Sequence, residues 1–209
     1  MSIAALIVAG GSSKRFVSDT PKQFHIFKGD TIINYSIKKF LNNKNISRII
    51  IAIEKKSYSK YRDFVLKNKK ITVVNGGRTR ALSVLNGLIK ANKLKIDKIL
   101  IHDAARPFFP TKLIDLQIKY LKKFKAVIPA LESLSTIVFN NKIIPRNEVL
   151  QIQTPQAFDF KTIYKLHSQN SDKNISDDST LFFKNNYPVK IIKGSLDNKK
   201  ITYLEDIKK

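Results

Sequence analysis

Three clusters in this sequence combine residue types that can handle phosphate. The first is Val8-Ala9-Gly10-Gly11-Ser12-Ser13-Lys14-Arg15-Phe16, with Pro21-Lys22-Gln23 after it. Small residues let backbone N–H groups approach phosphate oxygens, and those N–H groups then act as the ligands. Arg15 and Lys22 can neutralise a triphosphate. No Gly-Lys-Ser/Thr follows, so this is not a Walker loop, and the glycine spacing is not that of a dinucleotide fingerprint. Alone, the cluster reads equally well as a strand-to-loop turn with solvated charges. The second cluster, Gly76-Gly77-Arg78-Thr79-Arg80, precedes Ser83 and Asn86. Its two glycines permit a base to stack flat on backbone, although a tight turn with a helix cap explains it more simply. The third is His102-Asp103-Ala104-Ala105-Arg106-Pro107. An acid just beyond a buried strand suits a magnesium–phosphate site, because magnesium takes one or two carboxylates and fills its shell with phosphate oxygens and water. The plainer reading is an Asp103–Arg106 ion pair within the loop. His25, His102 and His167 stand apart without ligand or triad spacing, which makes structural or solvated roles the expectation, and no Ser/His/Asp grouping suggests a hydrolase.

Those clusters need elements to hold them. Ile3 to Val8, Ile49 to Ile53, Ile71 to Val74, Ile99 to Ile101 and Ala126 to Ile128 are short apolar runs, as expected of strands buried on both faces. Between them, Ile33, Ile37, Phe40 and Leu41 mark one helix face, and Tyr58 to Leu66 reads as helical. Ala81, Leu85, Leu88 and Ile89 mark a further helix, as do Ile114, Ile118 and Leu121 after Pro110. This alternation predicts an α/β fold: βαβ units, a mainly parallel twisted sheet and helices on both faces. Ligands bind such sheets beyond the carboxyl ends of the strands, where all three clusters fall. From about 134 to 151 the rhythm breaks, and Asn140-Asn141 suggests a hairpin that the sheet does not require. Asp159 to His167 and Ser176 to Lys184 read as helices, the second capped by Ser176 or Asp177. Val189 to Ile192 returns to a strand, and Thr202 with Glu205 forms a candidate capping box. No repeat, linker or second domain is visible, so a single domain over 1–209 is expected.

With 209 residues, 43% of them hydrophobic, the chain can bury a core of ordinary size. No apolar run approaches the roughly 18 residues of a membrane span, and the N-terminal apolar stretch leads into a glycine turn rather than a cleavage site, so a cytoplasmic protein is expected. The absence of cysteine excludes disulfides, thiolate zinc sites and a Cys nucleophile. The net charge of +23 comes from lysines scattered along the chain rather than gathered in one stripe. Such a field draws in nucleoside triphosphates and does not select a partner.

Taken together, the clusters resemble the 2-C-methyl-D-erythritol 4-phosphate cytidylyltransferase family. The resemblance spans nearly the whole chain: AGGSSKRF with PKQF at 9–24, GGRTRALSVLNGL at 76–88, HDAARPF at 102–108, QTPQAF at 153–158, SDDSTLF at 176–182 and DNKKIT at 197–202. HDAARP and QTPQ are the specific blocks. It implies a Rossmann-like nucleotidyltransferase fold and a homodimer linked by a protruding β-arm at about 134–151. It also implies that Ala9, Gly10, Gly11, Ser13, Arg15 and Lys22 hold the CTP triphosphate, and that Gly77, Arg78 and Ser83 face the cytosine and ribose. Asp103 and Ala104 would meet the nucleotide, with Mg2+ near Asp103. Asp103, Arg106, Thr136, Arg146, Thr154 and Lys200 would bind the sugar-alcohol phosphate, Arg146 from the partner subunit's arm. Arg15, Lys22 and Lys200 would stabilise charge during transfer, which needs no protein nucleophile. The chain departs from the family pattern at Ser13, where glycine is usual, at Ser135, where an Asp is usual, and at Lys199, where an apolar residue is usual. A ribitol 5-phosphate cytidylyltransferase is the nearest alternative. A basic nucleic-acid-binding protein is a remote one, since no recognised module or run of interleaved surface aromatics accompanies the charge.

Overall fold

The computed structural model describes residues 1–10, 14–16 and 18–207. The described elements run β1 (Ile3–Val8), β2 (Ile26–Phe27), β3 (Asp30–Thr31), α1 (Ile32–Leu41), β4 (Arg48–Ile53), α2 (Lys55–Tyr61), β5 (Ile71–Asn75), α3 (Arg80–Lys93), β6 (Lys98–Asp103) and α4 (Lys112–Tyr120). They continue with β7 (Ala126–Glu132), β8 (Ile137–Phe139), β9 (Lys142–Ile144), β10 (Leu150–Ile152), β11 (Gln156–Asp159), α5 (Phe160–Gln169), α6 (Ser179–Lys184) and β12 (Val189–Lys193). The main sheet has the order β10-β7-β11-β6-β1-β4-β5, and β12 also pairs with β7.

The central strands are apolar on both faces, and the two faces separate cleanly. Ile3, Ala5 and Ile7 of β1 pack with Ile33, Ile37 and Phe40 of α1 and with Ile114 of α4. Ala4 and Leu6 pack on the other side with Val84 and Leu88 of α3 and Ile163 of α5. Helix α3 lies very close to β1, since a Cβ added at Gly87 would come within 2.3 Å of Leu6 Cδ1. Parallel register pairs Val8 with Asp103 and with Ala52, and Ile53 with Asn75, so the carboxyl ends of β1, β4, β5 and β6 share one edge.

The sheet is mixed and mostly parallel. Two members run antiparallel to their neighbours, β10 beside β7 at the edge and β11 between β6 and β7, and β11 was not expected. Residues 156–159 are too short and too polar at their ends to show a strand pattern, and Pro155 precedes them. Because β11 runs against β6, its first residue, Gln156, pairs with Ile101 near the carboxyl end of β6, and the preceding Gln153 and Thr154 are delivered toward the ligand edge.

Several local expectations are corrected. Helix α2 starts at Lys55 and ends in a 3-10 turn at Arg62–Phe64 rather than covering 58–66. The buried face of α3 is Ala81, Val84, Leu88 and Ala91, whereas Ile89 is 40% exposed, so its apolar side chain lies beside the stripe and not in it. Helix α6 begins at Ser179: Asp177 Oδ1 accepts the Ser179 N–H, but Asp178 is committed to ion pairs described below. At the last turn it is Asp206, not Glu205, whose carboxylate accepts the N–H groups of Thr202 and Tyr203. The hairpin expectation holds. Asn140 and Asn141 take φ of 48° and 59°, as a two-residue primed turn demands, and join β8 to β9.

Candidate functional site

A cavity of about 1090 Å3 opens at the shared carboxyl edge. Its floor is the end of β1, where the Ala9 N–H donates to the Ala52 carbonyl at 2.9 Å. The Ala9 carbonyl accepts from buried Gln23 Nε2 at 2.7 Å, which ties the Pro21-Lys22-Gln23 segment to the first loop. Lys22 lines the cavity, and its ammonium donates to the Ile201 carbonyl at 3.0 Å. Burial lowers the Lys22 pKa most, neighbouring Lys200 and Arg15 lower it further, and Asp103 partly opposes them. An anion placed here therefore meets cations whose own repulsion it relieves.

The second wall is the β5–α3 turn. Ser83 is buried, and its hydroxyl accepts the Gly77 N–H at 3.0 Å while bonding the Thr79 carbonyl at 3.0 Å. Thr79 caps α3 by accepting the Leu82 N–H at 3.2 Å. A Cβ on Gly77 would lie 2.3 Å from Leu82 Cβ, so the close packing of the turn against the helix requires glycine there. Arg78 lines the same wall.

The third wall carries the charge network. Asp103 Oδ1 accepts from Arg80 Nε at 3.0 Å, and Oδ2 accepts from Lys200 Nζ at 2.6 Å. Arg80 also pairs through Nη1 with Asp178 Oδ2 at 2.7 Å, and Asp178 Oδ1 lies 2.9 Å from His167 Nε2. Burial on its own would raise both carboxyl pKa values. At Asp103 the charges of Arg80 and then Lys200 outweigh it and hold the group far below the usual carboxylate range. At Asp178 Arg80 and His167 do the same. Behind Asp103, its N–H donates to Thr154 Oγ1 at 3.0 Å, and that hydroxyl also lies 3.0 Å from His102 Nδ1. His102 is fully buried, and burial lowers its pKa to about 3. Its ring also meets Ser36 and the Arg106 carbonyl, which makes it a neutral structural junction as expected.

Ala9, Gly10, Lys22, Gly77, Arg78, Ser83, Asp103, Ala104 and Lys200 thus converge on one cavity. Gly11 and Ser13 lie outside the described residues. Arg15 is exposed in a 3-10 turn and does not line the cavity, although it is near enough to depress Lys22. Thr154 is buried behind the wall. Thr136 and Arg146 are exposed on the arm and are not among the lining residues. Arg106 donates to the Asn198 carbonyl at 2.8 Å and the Ile152 carbonyl at 3.4 Å. The side-chain partners of Asp103 are therefore Arg80 and Lys200 rather than the Arg106 of the same loop, which corrects the simpler reading of that loop.

Sequence reasoning missed Arg80 as the residue that organises Asp103, and Asp178 and His167 behind it. Arg80 is the last residue of the second cluster and opens α3, and only tertiary structure brings the SDDSTLF block to it. Glu54, Lys55, Lys56 and Ser59 on the rim were also missed. The strand-end rule applied to β4 would have found the first of them, because Glu54 follows Ile53 directly and Lys55 opens α2.

Among the described residues no group of three or more His, Cys, Asp or Glu could hold a metal ion. Asp103 has each oxygen taken by a cation. A single carboxylate beside a phosphate-binding wall fits magnesium held chiefly by phosphate oxygens and water, and does not fit a protein cage.

Comparison with known proteins agrees with this geometry. A sequence model described as 2-C-methyl-D-erythritol 4-phosphate cytidylyltransferase matches residues 3–209. The chain is 39% identical to a bifunctional enzyme IspD/IspF of Pelagibacter ubique, over 100% of this chain and 56% of that one, so it spans about half of that relative's length. It is 36% identical to a 2-C-methyl-D-erythritol 4-phosphate cytidylyltransferase of Clostridium beijerinckii, over 98% of this chain and 95% of the relative. Among solved structures, a 4-diphosphocytidyl-2C-methyl-D-erythritol synthase from Anaerococcus prevotii superposes with a TM-score of 0.85 at 32% identity, covering 99% of this chain and 92% of that one. The corresponding cytidylyltransferase of Francisella tularensis gives 0.83 at 27% identity, covering 100% and 97%.

Proposed function

We propose that this chain, which belongs to the 2-C-methyl-D-erythritol 4-phosphate cytidylyltransferase family, transfers CMP from CTP to 2-C-methyl-D-erythritol 4-phosphate. The products are 4-diphosphocytidyl-2-C-methyl-D-erythritol and pyrophosphate. The observation that carries the reading is the meeting of Lys22, Lys200 and Asp103 with the Gly77–Ser83 turn around one cavity.

The chemistry follows from charge. The base and ribose lie against Gly77, Arg78 and Ser83, while Ala9, Gly10 and Lys22 take the phosphates. A phosphate oxygen of the acceptor attacks the α-phosphorus in line. The bond from that phosphorus to the bridging oxygen breaks, and its electrons leave with pyrophosphate. Negative charge grows on the α-phosphoryl oxygens, where Lys22 and Lys200 stabilise it. Asp103 fixes Lys200 by its 2.6 Å contact and accepts no proton in the step, since Arg80 and Lys200 keep it ionised. Asp103, together with phosphate oxygens and water, would hold a magnesium ion, which would supply further neutralisation of the triphosphate. Arg15 adds a positive charge at the mouth, and Arg106 and Thr154 support the acceptor side from behind Asp103.

Thr136 and Arg146 serve the acceptor in a homodimer, where each arm reaches the partner's cavity. What supports this is the arm itself. Val138, Phe139 and Ile143 are 66%, 65% and 71% exposed on a hairpin of three paired positions, an apolar surface that a second copy would cover. A cytoplasmic setting accords with the need for CTP.

The test is pyrophosphate release from CTP and magnesium with methylerythritol phosphate and ribitol 5-phosphate compared side by side. Release with the first alone is expected. Release with ribitol phosphate alone would keep the CTP site and reassign the acceptor, and would give meaning to the departures at Ser135 and Lys199. Silence with both would overturn the reading.

A further inference from the structure

Lys200 is the charged member of the cavity with the least regular support. It lies between the end of β12 at Lys193 and the 3-10 turn Leu204–Ile207, on a segment without helix or strand. Side-chain amides hold this segment in place of ladder hydrogen bonds. Gln153 Oε1 accepts the Ser195 N–H at 3.1 Å and Asn198 Nδ2 at 3.2 Å, while Gln153 Nε2 donates to the Ser195 carbonyl at 2.9 Å. Asn198 Nδ2 also donates to the Thr154 carbonyl at 2.8 Å. Both amides are buried, Asn198 completely. Gly194 allows the approach, because a Cβ there would fall 2.6 Å from Gln153 Oε1. On the far side of Lys200, the Ile201 N–H donates to the Ala105 carbonyl at 2.8 Å, and the Ile201 side chain is buried.

We infer that Gln153 and Asn198 are positioning residues for Lys200, their interlocked amides setting the path of the segment so that the ammonium meets Asp103 Oδ2 and the reacting phosphate. The inference rests on the proposed function, in which Lys200 acts on the transferring phosphoryl group. Neither amide lines the cavity, so neither acts by touching the nucleotide. Lys200 sits two residues beyond Asn198 and one before Ile201, too short a span to absorb a displaced anchor without moving its Cα. The Lys side chain is flexible, so the backbone must supply the placement that the side chain cannot. The arrangement also explains two of the sequence blocks. The first Gln of QTPQ and the Asn of DNKKIT are distant in sequence and bonded in space.

A double-mutant cycle decides the matter. Asn198→Ala should lower kcat about tenfold to a hundredfold, the range expected when a reacting group is displaced by about 1 Å, with the KM for CTP changed by about twofold or less. In a Lys200→Ala background the same substitution should change kcat by less than about twofold, because a positioning residue has nothing left to position. A general structural role would instead cost the same factor in both backgrounds, and that additivity would overturn the inference. Should Asn198→Ala fail to fold, Gln153→Met, which keeps the volume and removes the amide, carries the same cycle. A wild-type chain that releases pyrophosphate yet shows additivity sinks this inference alone. A wild-type chain silent with every acceptor sinks the proposed function, and this inference with it.

Discussion

The cavity and the arm solve the problem of placing polar side chains in opposite ways. At the wall of the cavity built around Asp103, the charged groups are fixed by other parts of the chain. Asp103 is held by Arg80 and Lys200, Arg80 by Asp178, and Asp178 by His167. These residues come from β6, α3, α5, the start of α6 and the segment after β12, all tied to one sheet. The arm has only the pairs Ile137–Ile144, Val138–Ile143 and Phe139–Lys142, and Val138, Phe139 and Ile143 are exposed. A two-stranded hairpin of that size is marginal by itself. The cavity is organised from within, whereas the arm has a defined turn and lacks a cover.

The sharpest way to test the first half of that contrast is Asp178→Asn. It preserves shape and strips a fully buried carboxylate from Arg80, so it should cost about 3 to 5 kcal/mol of stability in denaturant melts. A loss under about 1 kcal/mol would show that Asp103 alone suffices for Arg80. Next in size is Lys22→Ala, expected to reduce turnover about a hundredfold or more in the pyrophosphate assay, and a loss below about fivefold would remove Lys22 from the chemistry. The arm should behave differently. Arg146→Ala is expected to raise the KM for the sugar phosphate about tenfold, the effect of one lost charge-assisted contact, with little change in the KM for CTP. If both constants moved together, the arm would be acting on the whole site. The smallest effect on the fold belongs to Phe139→Lys, within about 0.5 kcal/mol because the side chain is already exposed. On the proposed homodimer, sedimentation should nevertheless show weaker association, and unchanged association would remove the arm from the proposed contact between copies.

The same contrast governs what could be read in advance. Strands such as Ile3–Val8 were legible because burial on both faces writes a continuous apolar run, and the glycine and acid clusters were legible because strand ends carry them. The turn at Asn140-Asn141 was legible because few residue pairs tolerate two positive φ values. Strand β11 was not, since four residues with Gln and Asp at the ends carry too little pattern. Nor was the Arg80–Asp178 pair, because two oppositely charged residues nearly a hundred positions apart leave no local trace of their meeting. The apolar stripe of α3 was misjudged at Ile89 for a related reason: a hydrophobic residue at the edge of a helix face remains half exposed when no neighbouring element reaches it.

The segment that carries Lys200 has a consequence for the order in which the protein comes into being. The ribosome delivers Lys22, the Gly77 turn and Asp103 first, and with them β1, β4, β5 and β6. The contacts that complete the cavity, Lys200 to Asp103, Asn198 to Arg106 and Lys22 to Ile201, span 97, 92 and 179 positions. At roughly 5 to 20 residues per second, Asp103 waits roughly 5 to 20 seconds for its lysine. During that interval the nascent chain possesses most of the cavity wall and not the segment that completes it, so on the proposed reading activity waits for the arrival of Lys200.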